Sequence, residues 1–190
     1  MTVDAIHEAV IQVLLTEGLT RLTTTRVAER AGVSVGTLYQ YFPNKEALLY
    51  AVLHRHFEEL AAAMEGIALH DTGRPVADLA GSIADAYVSV KIARPEATMA
   101  LYGVAGAIDQ FRLPTDIHRR LEGAVARVLA NASDASFAEP GRVAFTLLSA
   151  LAGVSRGRFA KLASQPEALN GFPDEARLLA GAYLAAAAAP

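Results

Sequence analysis

Between Thr23 and Lys45 the sequence TTTRVAERAGVSVGTLYQYFPNK sets two short amphipathic segments on either side of a glycine, and few folds accommodate that arrangement. In the first segment, Thr23 to Ala31, Val27, Ala28 and Ala31 recur at helical spacing and predict one buried face, with Thr23 or Thr24 placed to cap it. Gly32 ends the segment, because a residue without a Cβ enters the left-handed cap conformation at no steric cost. Ser34 is placed to cap a second helix from Val35 to Phe42, in which Leu38 and Phe42 lie four apart and can pack on the first. Val35, Gly36, Thr37, Gln40 and Tyr41 are left on or near the outward face. The pattern predicts a helix-turn-helix whose second helix is offered to a major groove.

Charge follows the same division. The chain carries a formal −3, but from Thr20 to Lys45 four cations (Arg21, Arg26, Arg30, Lys45) face one anion, Glu29, a local +3 that leaves −6 for the remainder. Positive charge gathered on one segment suits a nucleic-acid footprint, and it also suits an ordinary solvated surface. The 190 residues, 53% hydrophobic, are enough for one compact domain or a small one joined to a larger, burying roughly 70% of the unfolded surface. With no Cys, neither a disulfide framework nor a thiolate metal site can form, which fits a reducing cytoplasm. No basic stretch precedes an apolar one at the start, and no apolar run reaches the roughly 18 residues a membrane span needs, so a soluble, unexported, cytoplasmic chain is expected. A Gly-rich phosphate loop, H-E-x-x-H and a Cys nucleophile are all missing, so no enzyme and no cofactor is expected.

Within the motif, Thr23, Thr24 and Thr25 fall at a helix N-terminus, whose free N–H groups and positive dipole end attract phosphate; simple capping explains the same residues. Base reading falls to Val35, Gly36 and Tyr41, with Gln40 and Arg26 as further candidates. Val35 offers a methyl surface suited to a thymine methyl, Gly36 admits close backbone approach, and Gln40 has the amide geometry for adenine.

Ahead of the motif, Ile6, Ala9, Val10, Val13 and Leu14 mark a supporting helix from Val3 to Glu17, with Gly18 beyond its end. After it, Asn44 can cap a long helix with Glu46 in its first turn, and Leu48, Leu49, Val52, Leu53, His56, Phe57, Leu60 and Met64 continue the spacing to about Ile67. His54 and His56 point about 200° apart on that helix and cannot share a metal ion. LHDTGRP, residues 69–75, is polar and rich in turn formers. Further helical segments run near Val76–Ala93, Pro95–Gln110, Pro114–Asn131, Pro140–Leu162 and Pro173–Ala188, several opening on proline, where the missing N–H costs nothing. The Ala-rich end is expected to fray. The fold class is all-α: residues 1–46 form a three-helix helix-turn-helix domain, linked by a helix over 45–67 to a larger helical domain over 47–190.

The run VAERAGVSVGTLYQYFPNKEALL, Val27 to Leu49, about an eighth of the chain, combines the Gly-centred turn, G-T-L-Y-Q-Y-F and a following K-E-A-L-L. It resembles the tetracycline-repressor-like (TetR) transcriptional regulators. The resemblance implies phosphate contacts from Thr37, Tyr39 and Lys45, which with Thr23, Thr24, Thr25, Arg26, Ser34, Val35, Gly36, Gln40 and Tyr41 make up the candidate DNA-binding set. Only Met1, Thr2 and Val3 precede Asp4, where many members of the family carry a longer basic arm, so the contacts of such an arm are expected to be missing. It also implies a homodimer through the helices near 140–162 and 173–188; Thr146, Ala150, Gly153 and Gly157 form a small-residue stripe, which intramolecular packing would also explain. A repressor released from a double-stranded DNA operator by a small, mainly apolar effector is expected. Tyr87, Met99, Tyr102, Phe111 and Phe145 are the candidate lining, with His118 and Arg119 as polar anchors. The alternative is a helical dimeric ligand- or protein-binding module that does not touch DNA.

Overall fold

The computed structural model describes residues 2–70, 73–107 and 115–189. Its helices are α1 (Thr2–Glu17), α2 (Thr24–Ala31), α3 (Val35–Tyr41), α4 (Lys45–His70), α5 (Val76–Ile92), α6 (Pro95–Ala107), α7 (Thr115–Ala130), α8 (Pro140–Lys161) and α9 (Phe172–Ala187), with a short 3-10 helix at Pro166–Leu169. Among the described residues the one β-type pairing is an isolated antiparallel bridge between Ser136 and Ala189. The fold is all-α, and no helix among these residues is long and apolar enough to cross a membrane.

The chain divides into two compact units, one comprising Met1–His56 with Glu96–Leu113 and the other Phe57–Pro95 with Pro114–Pro190. In the first, Ile6, Val10 and Val13 of α1 are buried with Leu22, Val27 and Ala28, and α2 packs on both α1 and α3. Leu38, the inward residue of α3, is fully buried, and Phe42 closes the helix from its C-cap. Ala31, expected on the buried face of α2, is only half-buried, because it lies at the turn rather than beneath it. Arg55 donates to Asp4 at 2.6 Å, tying the start of α1 to α4.

In the second unit α5 lies along α9, and α7 packs on α8. The core draws Leu79 and Ile83 from α5, Ile117 and Val125 from α7, Leu147, Leu151 and Phe159 from α8, and Phe172 and Leu184 from α9. Arg120 reaches from α7 to α4, holding Glu58 at 2.9 Å and Glu65 at 3.0 Å with separate guanidinium nitrogens. Glu58 and Glu65 are seven residues apart, so both stand on one side of α4. Pro75 supplies no side-chain cap to α5; Asp134 fills that role from the α7–α8 connection, accepting from Val76 N at 2.8 Å.

Two expectations need correction at the element ends. The long helix runs to His70, three residues past Ile67. The Ala-rich end holds helix to Ala187, and Ala189 is pinned by its backbone pair with Ser136, so it does not fray there.

Candidate nucleic-acid interface

The turn between α2 and α3 is fixed by caps on both sides. Thr23 Oγ1 accepts from Arg26 N at 3.3 Å to open α2. Gly32 closes it at φ +69°, with its N–H and that of Val33 bonded back to Glu29 and Ala28 carbonyls. Ser34 Oγ then accepts from Thr37 N at 2.9 Å and lies 2.8 Å from Thr37 Oγ1, opening α3. These caps hold the ends of the two helices across the turn.

With Leu38 turned inward, α3 presents Gly36, Tyr39, Gln40 and Tyr41 to solvent, and Val35 and Thr37 are half-exposed. Tyr39 and Tyr41 are each 48% exposed. The Tyr39 hydroxyl lies 3.1 Å from Thr24 Oγ1, a hydrogen bond that brings the first turn of α2 and the middle of α3 to one polar point. Thr25 is exposed beside it. Among the described residues a Cβ added to Gly36 would meet only Ser34 Oγ, at 3.7 Å, so none of them demands glycine there.

Two cations of the candidate set turn back toward the protein. Lys45 Nζ donates to the Leu19 carbonyl at 3.1 Å, holding the α1–α2 connection to the start of α4 and leaving two of its three N–H donors. Arg26 Nη1 donates to the Arg21 carbonyl at 2.8 Å and pairs with Glu17 Oε2 at 2.5 Å. Sequence reasoning missed Glu17. The signal was available: an anion as the last residue of α1, where the helix dipole favours a cation and the last turn supplies none.

The residues expected to line an effector pocket are divided between the two units. Tyr87 is buried on α5 beside Lys91, whose ammonium stands 5.6 Å from the Tyr87 ring and 5.8 Å from that of Phe57. His118 of α7 packs on Phe57 with ring centroids 5.4 Å apart. Burial holds the Lys91 ammonium down to about 8 from its ordinary 10.5. Phe57 and Lys91 were not in the expected lining; Lys91 stands at the helical spacing from Tyr87, four residues on, that could have found it. Met99 and Tyr102 sit on α6 in the other unit, where Met99 lines an open apolar groove of about 220 Å³ with Leu14, Leu15 and Leu19. Phe145 stands on the outer face of α8, 57% exposed. Phe111 lies outside the described residues.

Residues 6–52 match the profile described as bacterial regulatory proteins, tetR family, and residues 75–184, more than half of the chain, match the tetracyclin repressor-like C-terminal domain. The HTH-type transcriptional repressor KstR of Mycolicibacterium smegmatis is 42% identical over 64 residues, covering 34% of this chain and 31% of its own length. An uncharacterized HTH-type transcriptional regulator of Haemophilus influenzae is 37% identical over 62 residues, 33% of each chain. The chain therefore spans about a third of the length of these curated relatives. The structure of SmeT, repressor of the Stenotrophomonas maltophilia multidrug efflux pump SmeDEF, shares the fold at a TM-score of 0.73 and 20% identity, over 100% of this chain and 91% of that one. That of the fatty acid degradation regulator FadR from Bacillus halodurans does so at 0.71 and 16%, over 96% and 94%. With both of its parts matched, the chain belongs to the tetracycline-repressor-like (TetR) family of DNA-binding transcriptional regulators.

Proposed function

We propose that this regulator is a homodimeric repressor that leaves its operator when a small, mainly apolar effector binds in the larger helical unit. The observation that carries the DNA contact is α3, capped at both ends, with one buried leucine and an outward face of Gly36, Tyr39, Gln40 and Tyr41. The candidate phosphate contacts are Thr23, Thr24, Thr25, Thr37, Tyr39 and the remaining donors of Lys45; Ser34 fixes the turn they surround. Val35, Gly36, Gln40 and Tyr41 face the bases. Repression is supported by the names of KstR and SmeT, both repressors.

Release is supported by α4, which contributes residues to both units. An effector lodged against Phe57, Tyr87 and His118 would act on the second half of the helix whose first half supports the reading head. The effector must prefer the conformation whose heads no longer match the half-sites, because equal affinity for both would shift nothing.

The test is a salt series of binding to duplex DNA from the chain's own upstream region. Affinity is expected to fall steeply as salt rises, and Lys45→Ala to lower the slope of log K against log salt by about 0.9, one phosphate contact. A flat salt response of the wild-type chain would overturn the reading.

A further inference from the structure

Glu17 and Arg26 each occupy the wrong end of a helix. Glu17 is the final residue of α1, where the negative end of the dipole repels a carboxylate, and Arg26 is the third residue of α2, where the positive end repels a guanidinium. Neither helix gains from its own charge. Together they compensate, 2.5 Å apart across the α1–α2 connection, with Glu17 27% and Arg26 43% exposed. Local rules broken in this way, with the compensation confined to one pair beside the interface, are expected at functional positions.

The grip on the guanidinium is one-sided. Both contacts, to Glu17 Oε2 and to the Arg21 carbonyl, fall on Nη1. The edge made by Nε and Nη2 is a planar two-donor fork on a half-exposed side chain whose far end is anchored. Such a fork matches two adjacent acceptors, which duplex DNA offers as guanine O6 with N7 or as two oxygens of one phosphate. A single phosphate contact needs no fixed orientation, whereas reading a base edge does. An arginine held by a carboxylate and a carbonyl has surrendered rotamer freedom before it meets DNA, which lowers the cost of a bidentate pair.

We propose that Glu17 is a positioning residue for base readout: through Nη1 it sets the Arg26 guanidinium so that its Nε and Nη2 edge reads one guanine in each half-site. The assignment rests on α2 and α3 being the DNA-contacting element. It goes beyond that reading by giving α1 a part in specificity.

The full-length chain would be used to enrich duplexes from a randomised library. The affinities of wild type, Glu17→Ala, Glu17→Gln and Arg26→Ala would then be measured for the selected duplex and for versions with each guanine in turn replaced by 7-deazaguanine, which lacks the N7 acceptor. Wild type is expected to lose about tenfold at one guanine per half-site. Arg26→Ala should show no loss there, and Glu17→Ala should lose most of the discrimination at that position while keeping wild-type sensitivity at the others. Glu17→Gln keeps the shape without the charge and should fall between, which preserves the test where the alanine variant folds poorly. Three results would overturn the proposal. One is an unchanged guanine profile in both Glu17 variants. Another is an equal loss on every duplex, the mark of a merely structural role. The third is an Arg26→Ala effect confined to the salt slope, the mark of a phosphate contact. A chain that enriches no duplex would remove the DNA reading itself, and the assignment with it.

Discussion

Lys91 is 3% exposed, and its ammonium faces the Phe57 and Tyr87 rings rather than water. Ring faces attract a cation, but they replace only part of a hydration shell, so burial lowers its proton affinity to about 8. The unfolded chain would titrate near the ordinary 10.5. Between these values the unfolded state holds a proton that the folded state has released, so stability rises with pH through that window. Below about pH 8 both states carry the charge, and the folded state bears a desolvation cost. Chemical denaturation of wild type and Lys91→Met across pH 7 to 11 should therefore diverge. The stability of wild type relative to the variant should climb between about 8 and 10.5, by an amount on the order of 3 kcal/mol. Parallel curves would show that the ammonium is as well solvated in the fold as outside it.

At the scale of the element, α3 is built with a weakness its own unit does not require. Gly36 is its second residue, and a methyl there would make only ordinary contact with Ser34 Oγ at 3.7 Å. Gly36→Ala should raise stability, by about 0.5 kcal/mol, because glycine loses more backbone freedom on folding. The same methyl would stand between helix and groove, where overpacking costs about 1 to 3 kcal/mol, so DNA binding should weaken roughly tenfold. A variant with a higher Tm and unchanged operator affinity would take Gly36 out of the interface. The sequence made α3 legible because each of its parts is local: Ser34, Gly32 and the Leu38–Phe42 spacing specify caps and a face within eleven residues. What stayed illegible was long-range. The Lys45 contact with Leu19 spans 26 residues and the Arg120 contact with Glu58 spans 62, and no periodicity encodes either. The candidate effector lining was hard to sort for a related reason: aromatic residues on α5, α6 and α8 look alike in sequence, and only packing separates buried Tyr87 from exposed Phe145.

At the scale of the molecule, the outer face of α8 and α9 is what a lone chain leaves unexplained. Phe145 is 57% exposed and Leu178 72%, and Ala152, Gly153, Gly157 and Ala182 are exposed small residues on the same two helices. Small side chains let helix axes approach closely, and two large apolar ones beside them are the usual anchors of an interface. The proposed homodimer covers this face with the same face of a second copy, as a two-fold axis requires. Two reading heads would then meet half-sites about 34 to 36 Å apart, which one chain cannot do. Sedimentation of the wild-type chain at micromolar concentration should give a dimer. The double variant Phe145→Glu with Leu178→Glu should give a folded monomer, since a carboxylate at either position is well solvated in the single chain but unpaired and dry at the interface. Its helical content should match wild type, as expected for surface changes within about 0.5 kcal/mol. Operator binding should become weak and non-cooperative, because each head binds alone and the second half-site no longer comes at a high effective concentration. A wild-type monomer that binds its operator tightly, or a double variant that remains dimeric, would place the partner surface elsewhere on the chain.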